Sequence, residues 1–223
     1  MASTGVPTLD QIIGSDGFPE GSVVLLVSPP GIAKEVLCYW FTCAGLVQND
    51  FCLHVTKLPV KDVLRDAKAF GVDYSQRVPL WMASQGGQVK FDMNDLTGLS
   101  YNIKDILGKN PGRRTRIVVD ALSSLLILNP PETVYRFLSQ LFGEIKQRDA
   151  VLLATLEDGM HPPQVVTAME ELFDGVIEMK LYEEDMQAHP LLRVLKMRGA
   201  NPRPGYFNFS FTHRGMEVSP YVR

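Results

Sequence analysis

Lys34 is the residue of this chain with the clearest chemical potential. It closes the string Ser28-Pro29-Pro30-Gly31-Ile32-Ala33-Lys34-Glu35, which follows the apolar run Val23-Val24-Leu25-Leu26-Val27. Phosphate-binding loops read G-x-x-x-x-G-K-[ST] between a buried strand and a helix. Their glycines let backbone N–H groups close on phosphates, the lysine reaches the outer phosphates, and the hydroxyl holds Mg²⁺. Here Ser28 stands at the first glycine, Ala33 at the second and Glu35 at the hydroxyl, while Lys34 keeps the place of the lysine and Gly31 falls among the free positions. Ser28 is the mildest change. Ala33 adds a Cβ where backbone and phosphate approach most closely, and a positive φ there costs roughly 1–2 kcal/mol outside glycine. Glu35 puts a carboxylate in the first helical turn, where unsatisfied N–H groups and the helix dipole favour an anion. Two chemistries follow: the carboxylate fills the anion site itself, paired with Lys34, or it holds Mg²⁺ directly. The same string is also compatible with a strand-turn-helix that happens to contain a lysine.

A second acid stands in Arg116-Ile117-Val118-Val119-Asp120-Ala121-Leu122-Ser123-Ser124, an apolar strand that ends on Asp120. In phosphate-loop enzymes an acid at this place orients Mg²⁺ and its water. Ligands of open parallel sheets lie outside the carboxyl ends of the strands, so Asp120 is expected beside Lys34. A strand-terminal Asp that caps the next turn is the alternative.

These residues need a scaffold, and the pattern of the chain supplies one. Short β-branched runs alternate with amphipathic segments, which predicts a mainly parallel sheet covered by helices. Strands are expected over 22–27, 51–56, 78–83, 116–120 and 151–155. Helices are expected over 34–47, 61–70, 101–107, 132–147 and 165–173. Residues 84–99 read as a long polar connection and Asn110-Pro111-Gly112 as a turn. After Asp174 the runs 176–182, 191–196 and 206–212 alternate apolar and polar, as antiparallel strands with one exposed face do. With no repeat and no linker, residues 1–223 read as one domain.

Composition narrows the function classes. A hydrophobic content of 45%, a charged content of 21% and a net charge of −3 are those of a soluble globular protein, with no electrostatic case for nucleic acid or an anionic membrane. Cys38, Cys43 and Cys52 lack metal-type spacing and read as reduced core residues. The histidines are scattered, so no metal site is expected. No run reaches membrane-spanning length and no signal pattern opens the chain, which predicts a cytoplasmic protein.

Taken in order, several blocks resemble the RecA superfamily, most of all its single-domain, archaeal-type KaiC-like branch. They are Thr4-Gly5-Val6-Pro7-Thr8-Leu9-Asp10, Gly17-Phe18-Pro19-Glu20-Gly21-Ser22, the Lys34 loop, the Val119-Asp120 strand end and Lys196-Met197-Arg198-Gly199. The resemblance implies a three-layer α/β/α fold with a central, mainly parallel twisted sheet and a C-terminal antiparallel β extension. It also implies a nucleotide site between subunits of a ring or filament. Ser28, Gly31, Ala33, Lys34 and Glu35 match the phosphate loop and Asp120 the Mg²⁺-side acid. Lys196 and Arg198 match a Lys-x-Arg-Gly segment that reaches a neighbour's nucleotide. One departure bears on catalysis. The family places a catalytic Glu just after the second strand, to polarise the attacking water. Here that stretch is His54-Val55-Thr56-Lys57-Leu58-Pro59-Val60-Lys61, with no acid before Asp62.

From this the expected protein has no catalytic residue and negligible ATP hydrolysis. It is a regulatory or protein- and peptide-binding module, whose partner is another protein, a peptide segment, a copy of itself or an intact RecA-like relative. No cofactor is expected; the alternative is a weak binder of ATP and Mg²⁺ whose occupancy controls assembly. An active ATPase or autokinase ranks behind both. Trp40, Phe41, Trp81 and Met82 are candidates for a binding surface or for the core. Nucleic acid is not an expected partner: the connection Leu156-Glu157-Asp158-Gly159-Met160-His161 is acidic, without an aromatic stacking platform. Lys90 and Phe91 lie among acids, no DNA-binding extension precedes Thr4, and Arg113, Arg114 and Arg116 read as a solvated loop at the edge opposite the site.

Overall fold

The computed structural model describes residues 1–74, 80–83, 87, 89, 92–109, 112–184, 187–212 and 215–221. In chain order the elements are α1 (Pro7–Ile13), β1 (Val23–Ser28), α2 (Glu35–Val47), β2 (Phe51–Thr56), α3 (Val60–Ala69), β3 (Leu80–Ala83), α4 (Leu96–Lys109), β4 (Thr115–Asp120) and α5 (Leu122–Leu128). They continue with α6 (Pro131–Gln147), β5 (Val151–Glu157), α7 (Pro163–Leu172), β6 (Gly175–Glu184), β7 (Gln187–Met197), β8 (Phe207–Thr212) and β9 (Gly215–Pro220).

The strands form one sheet in the order β3-β2-β4-β5-β1-β6-β7-β8-β9. The pairs from β3 to β6 are parallel, and those from β6 to β9 are antiparallel. Burial of both faces is written in β1. Val23, Leu25 and Val27 pack with Leu122, Leu138 and Leu141 of α5 and α6. Val24 and Leu26 point the other way, into Leu9 of α1 and Leu37 and Phe41 of α2. Period-two alternation of purely apolar residues suits a strand covered on both sides. A third cluster seats Val63 and Ala67 of α3 on Tyr39, Cys52 and Met82. The result is the three-layer α/β/α arrangement with an antiparallel extension that the resemblance implied.

Several boundaries differ from expectation. Helix α4 starts at Leu96, inside the stretch read as connection, and is twice the length of the segment over 101–107. Gly98 and Gly108 hid its period, yet Leu96, Leu99, Ile103, Ile106 and Leu107 line its buried side. The short helices α1 and α5 and strand β9 were not expected. Only Gly112 of the expected turn, and residues 80–83 of the expected third strand, fall within the described residues; Lys90, Phe91, His213 and the side chain of Trp81 lie outside them.

Phe41 and Met82 belong to the core and Trp40 packs against it. Cys38 and Cys52 are buried thiols and Cys43 is partly buried. The arginine run departs most from its reading. Arg114 pairs with Glu20 at 2.7 Å, and Arg116 is buried, with Nε on Asp50 at 2.7 Å. A guanidinium with five donors can enter a core where acceptors surround it. Gln48 and the Phe41 and Ser3 carbonyls accept from three of its other N–H groups. Gly45 makes room, because a Cβ there would stand 2.5 Å from Arg116 Cδ.

Candidate functional site

Strand β1 lies between β5 and β6, so its carboxyl end opens beside the carboxyl ends of β5 and β4. The chain leaves β1 at Ser28, whose hydroxyl donates to Pro29 O at 3.2 Å and whose carbonyl accepts from Asp158 N at 2.8 Å. Gly31 follows with φ +88°, in the left-handed region, and a Cβ there would meet nothing within 4 Å. Ala33 also has positive φ, +55°, a geometry that a Cβ makes costly. Lys34 then has helical dihedrals and Glu35 opens α2.

The Lys34 ammonium is buried, with a side chain 6% exposed, and two carboxylates hold it. Glu35 Oε1 lies at 2.9 Å and Glu157 Oε1 at 2.6 Å. Burial pulls the lysine's pKa down, but the Glu157 and Glu35 carboxylates more than offset it, so the group sits above its ordinary value. Glu157 is the last residue of β5 and pairs in register with Ser28. Its N–H donates to Ser123 Oγ at 2.8 Å, while its Oε2 is buried without a hydrogen-bond partner.

Asp120 ends β4 in the same cleft. Thr155 Oγ1 donates to its Oδ1 at 2.6 Å. Burial lifts its carboxyl to about 6 and the Glu35 charge adds to the lift, against the Thr155 bond and the charges of Lys34 and Lys57. Asp120 therefore feels Lys34 electrostatically, while the lysine's ion pairs go to Glu35 and Glu157. Asp62, the first acid beyond β2, lies on α3 and accepts a hydrogen bond from Arg65 at 3.0 Å. Among the described residues no three or more His, Cys, Asp or Glu are arranged to hold a metal ion.

Lys196 and Arg198 lie elsewhere. Strand β7 runs against β6, so its end at Met197 pairs with Gly175 at the amino end of the parallel strands. Lys196 Nζ reaches the Glu171 carbonyl at 3.4 Å, and Arg198 Nη1 reaches Asp174 Oδ1 at 3.4 Å. Asp174 in turn accepts from Val23 N, the first residue of β1. Within one copy these two cations are a full strand, roughly 17 Å at 3.3 Å per residue, from the Lys34 loop.

The sequence reading grouped Ser28, Gly31, Ala33, Lys34, Glu35 and Asp120, and the structure brings these together. It missed Glu157, Thr155 and Ser123. Glu157 is the first acid of a stretch that reads as connection, because the expected strand ends at Thr155. The one signal for it was that β5, like β4, carries an acid at its carboxyl end.

A mostly parallel sheet with a lysine loop after β1 and an acid closing β4 defines a RecA-like α/β/α protein. A family model described as ATPase: KaiC matches residues 2–222, and the chain belongs to that KaiC-like family. It is similar to the circadian clock protein KaiC2 of Synechocystis, at 26% identity over 97% of this chain and 38% of that protein. It is 28% identical to a UPF0273 protein of Methanopyrus kandleri, over 98% of this chain and 91% of the other. The circadian clock oscillator protein KaiC of Synechococcus elongatus is 24% identical over 93% of this chain and 42% of its own length. The chain thus spans about two fifths of the KaiC proteins and nearly all of the UPF0273 relative. No helix among the described residues is long and apolar enough to cross a membrane.

Proposed function

We propose that this chain is a catalytically inactive KaiC-like protein, working as a regulatory or binding module whose nucleotide site is closed from within. The observation that carries this reading is the state of Lys34. Its ammonium, the group that would meet the outer phosphates, is already neutralised by Glu35 and Glu157. A phosphate chain with Mg²⁺ does not fit this donor set. It would have to displace two carboxylates from the lysine and then lie beside them in a water-poor cleft, where like charges repel more strongly than in water. Glu35 also removes the hydroxyl ligand, and no acid follows β2 closely enough to activate a water.

The partner in this reading is another protein or peptide segment, a second copy of the chain, or an intact relative. A second reading, a nucleotide-occupied assembly switch, draws on Gly31, which keeps the open, left-handed geometry of a phosphate loop. Calorimetric titration with ATP and Mg²⁺ separates the two. The closed site gives no saturable heat and no turnover. Saturable heat in the unaltered protein that vanishes in Lys34→Ala overturns the proposal in favour of the switch.

A further inference from the structure

We infer that Glu157 is the principal lock on the loop: a carboxylate from the neighbouring strand that acts as an internal phosphate surrogate on Lys34, with Glu35 a secondary and displaceable partner. The inference rests on the closed-site reading above and specifies what closes the site. The two carboxylates differ in three ways. Glu157 makes the shorter contact, 2.6 Å against 2.9 Å. Its side chain is 15% exposed, against 31% for Glu35. Its backbone is also fixed on every side. The register with Ser28, the N–H to Ser123 Oγ and the bond from Asp158 N to Ser28 O pin the end of β5 to the start of the loop.

Glu35, by contrast, sits in the first turn of α2 beside Lys34, and a rotamer change carries its carboxylate toward water. An arriving anion can push Glu35 aside at little cost. Glu157 has less room to turn away, because its side chain is 15% exposed and rises from a strand held against β1. An anion held in place by the fold competes at the effective concentration of an intramolecular partner, which a dissolved ligand must exceed. The second Glu157 oxygen strengthens the exclusion. Oε2 is buried and unpartnered, so the negative charge beside Lys34 has no further donor to disperse it.

The test is calorimetric binding of ATP with Mg²⁺ to the full chain and to Glu35→Thr, Glu157→Gln and their combination, each checked for an intact thermal transition. Expected is no saturable heat for the unaltered protein or Glu35→Thr, measurable binding for Glu157→Gln, and binding at least about tenfold tighter in the double variant. Equal affinity of Glu35→Thr and the double variant overturns the role of Glu157 and leaves the closed-site reading standing. Absence of binding in the double variant overturns both, since neither carboxylate then closes the site. Binding by the unaltered protein overturns the closed-site reading itself. A second readout needs no nucleotide: acylation of Lys34 by an amine-reactive ester, followed by mass spectrometry. Lys34 should be protected in the unaltered protein and gain several-fold reactivity in Glu157→Gln, more than in Glu35→Thr. Equal or reversed gains overturn the ranking of the two acids.

Discussion

The two ends of the parallel sheet each bury a cation, and they treat it differently. At the amino end, Arg116 meets one carboxylate, Asp50. Three further donors find an amide or carbonyl oxygen, and its guanidinium also lies 4.9 Å from the Phe41 ring centroid. Charge is balanced one to one. At the carboxyl end, Lys34 meets two carboxylates while a third, Asp120, stands close enough to be shifted by its charge. One oxygen of Glu157 is left without a partner, and Ala33 is held at φ +55°. The first cluster is built as a structural pair. The second carries surplus negative charge and backbone strain, which tertiary packing around it must offset.

The contrast yields predictions that scale with it. Arg116→Met should be the most damaging, because it strands Asp50 in the core. A loss of about 3–5 kcal/mol is expected, seen as a drop in Tm of roughly 6–20 °C. A drop no larger than that of Lys34→Met would erase the distinction between the two ends.

Asp120→Asn should act in the opposite direction. The folded protein holds this carboxyl near 6, above its ordinary 3.8, so ionising it opposes folding. The natural protein therefore gains stability from this group as pH falls from 6 toward 3.8, and carries the full cost above 6. The variant should be more stable by roughly 2–3 kcal/mol at pH 8, with the advantage shrinking through that window and gone below it. Denaturant melts at pH 8, 5 and 3.5 measure this, and a gain that does not change with pH would refute it.

Lys34→Met should cost about 2 kcal/mol, less than Arg116→Met, since Glu35, 31% exposed, can turn to water while Glu157 is left buried without its cation. The smallest effect belongs to Ala33→Gly, which relieves the left-handed strain and should stabilise by about 0.5–1 kcal/mol. A loss of stability in its melting curve would show that the Ala33 methyl makes packing contacts worth more than the strain.

These same residues mark what the sequence made legible. Apolar runs such as Val23–Val27 dictated a doubly covered strand, and the change to alternating patterns after Asp174 dictated the antiparallel edge. Lys34, Glu35 and Asp120 could be grouped because they obey a local spacing and a general rule about strand ends. Glu157 could not, since its partnership with Lys34 spans 123 positions and depends on β5 lying next to β1. Arg116 misled for a related reason. A run of arginines reads as solvated unless one knows that Asp50, Gln48 and two carbonyls converge on it from other elements. Charge patterns reveal who is charged; only the tertiary arrangement reveals who is neutralised.

The central place of β1 bears on how the chain is made. Val23 pairs with Leu152, and Val24 on its other side with Gly175, so neither flank of this all-apolar strand exists when it leaves the ribosome. At 5–20 residues per second, translation reaches Leu152 roughly 6–25 s after Val23. For that interval Val23–Val27 is a sticky, unpaired segment. The nascent protein should therefore depend on chaperone shielding in its first half and fold only once β5 and β6 have been synthesised.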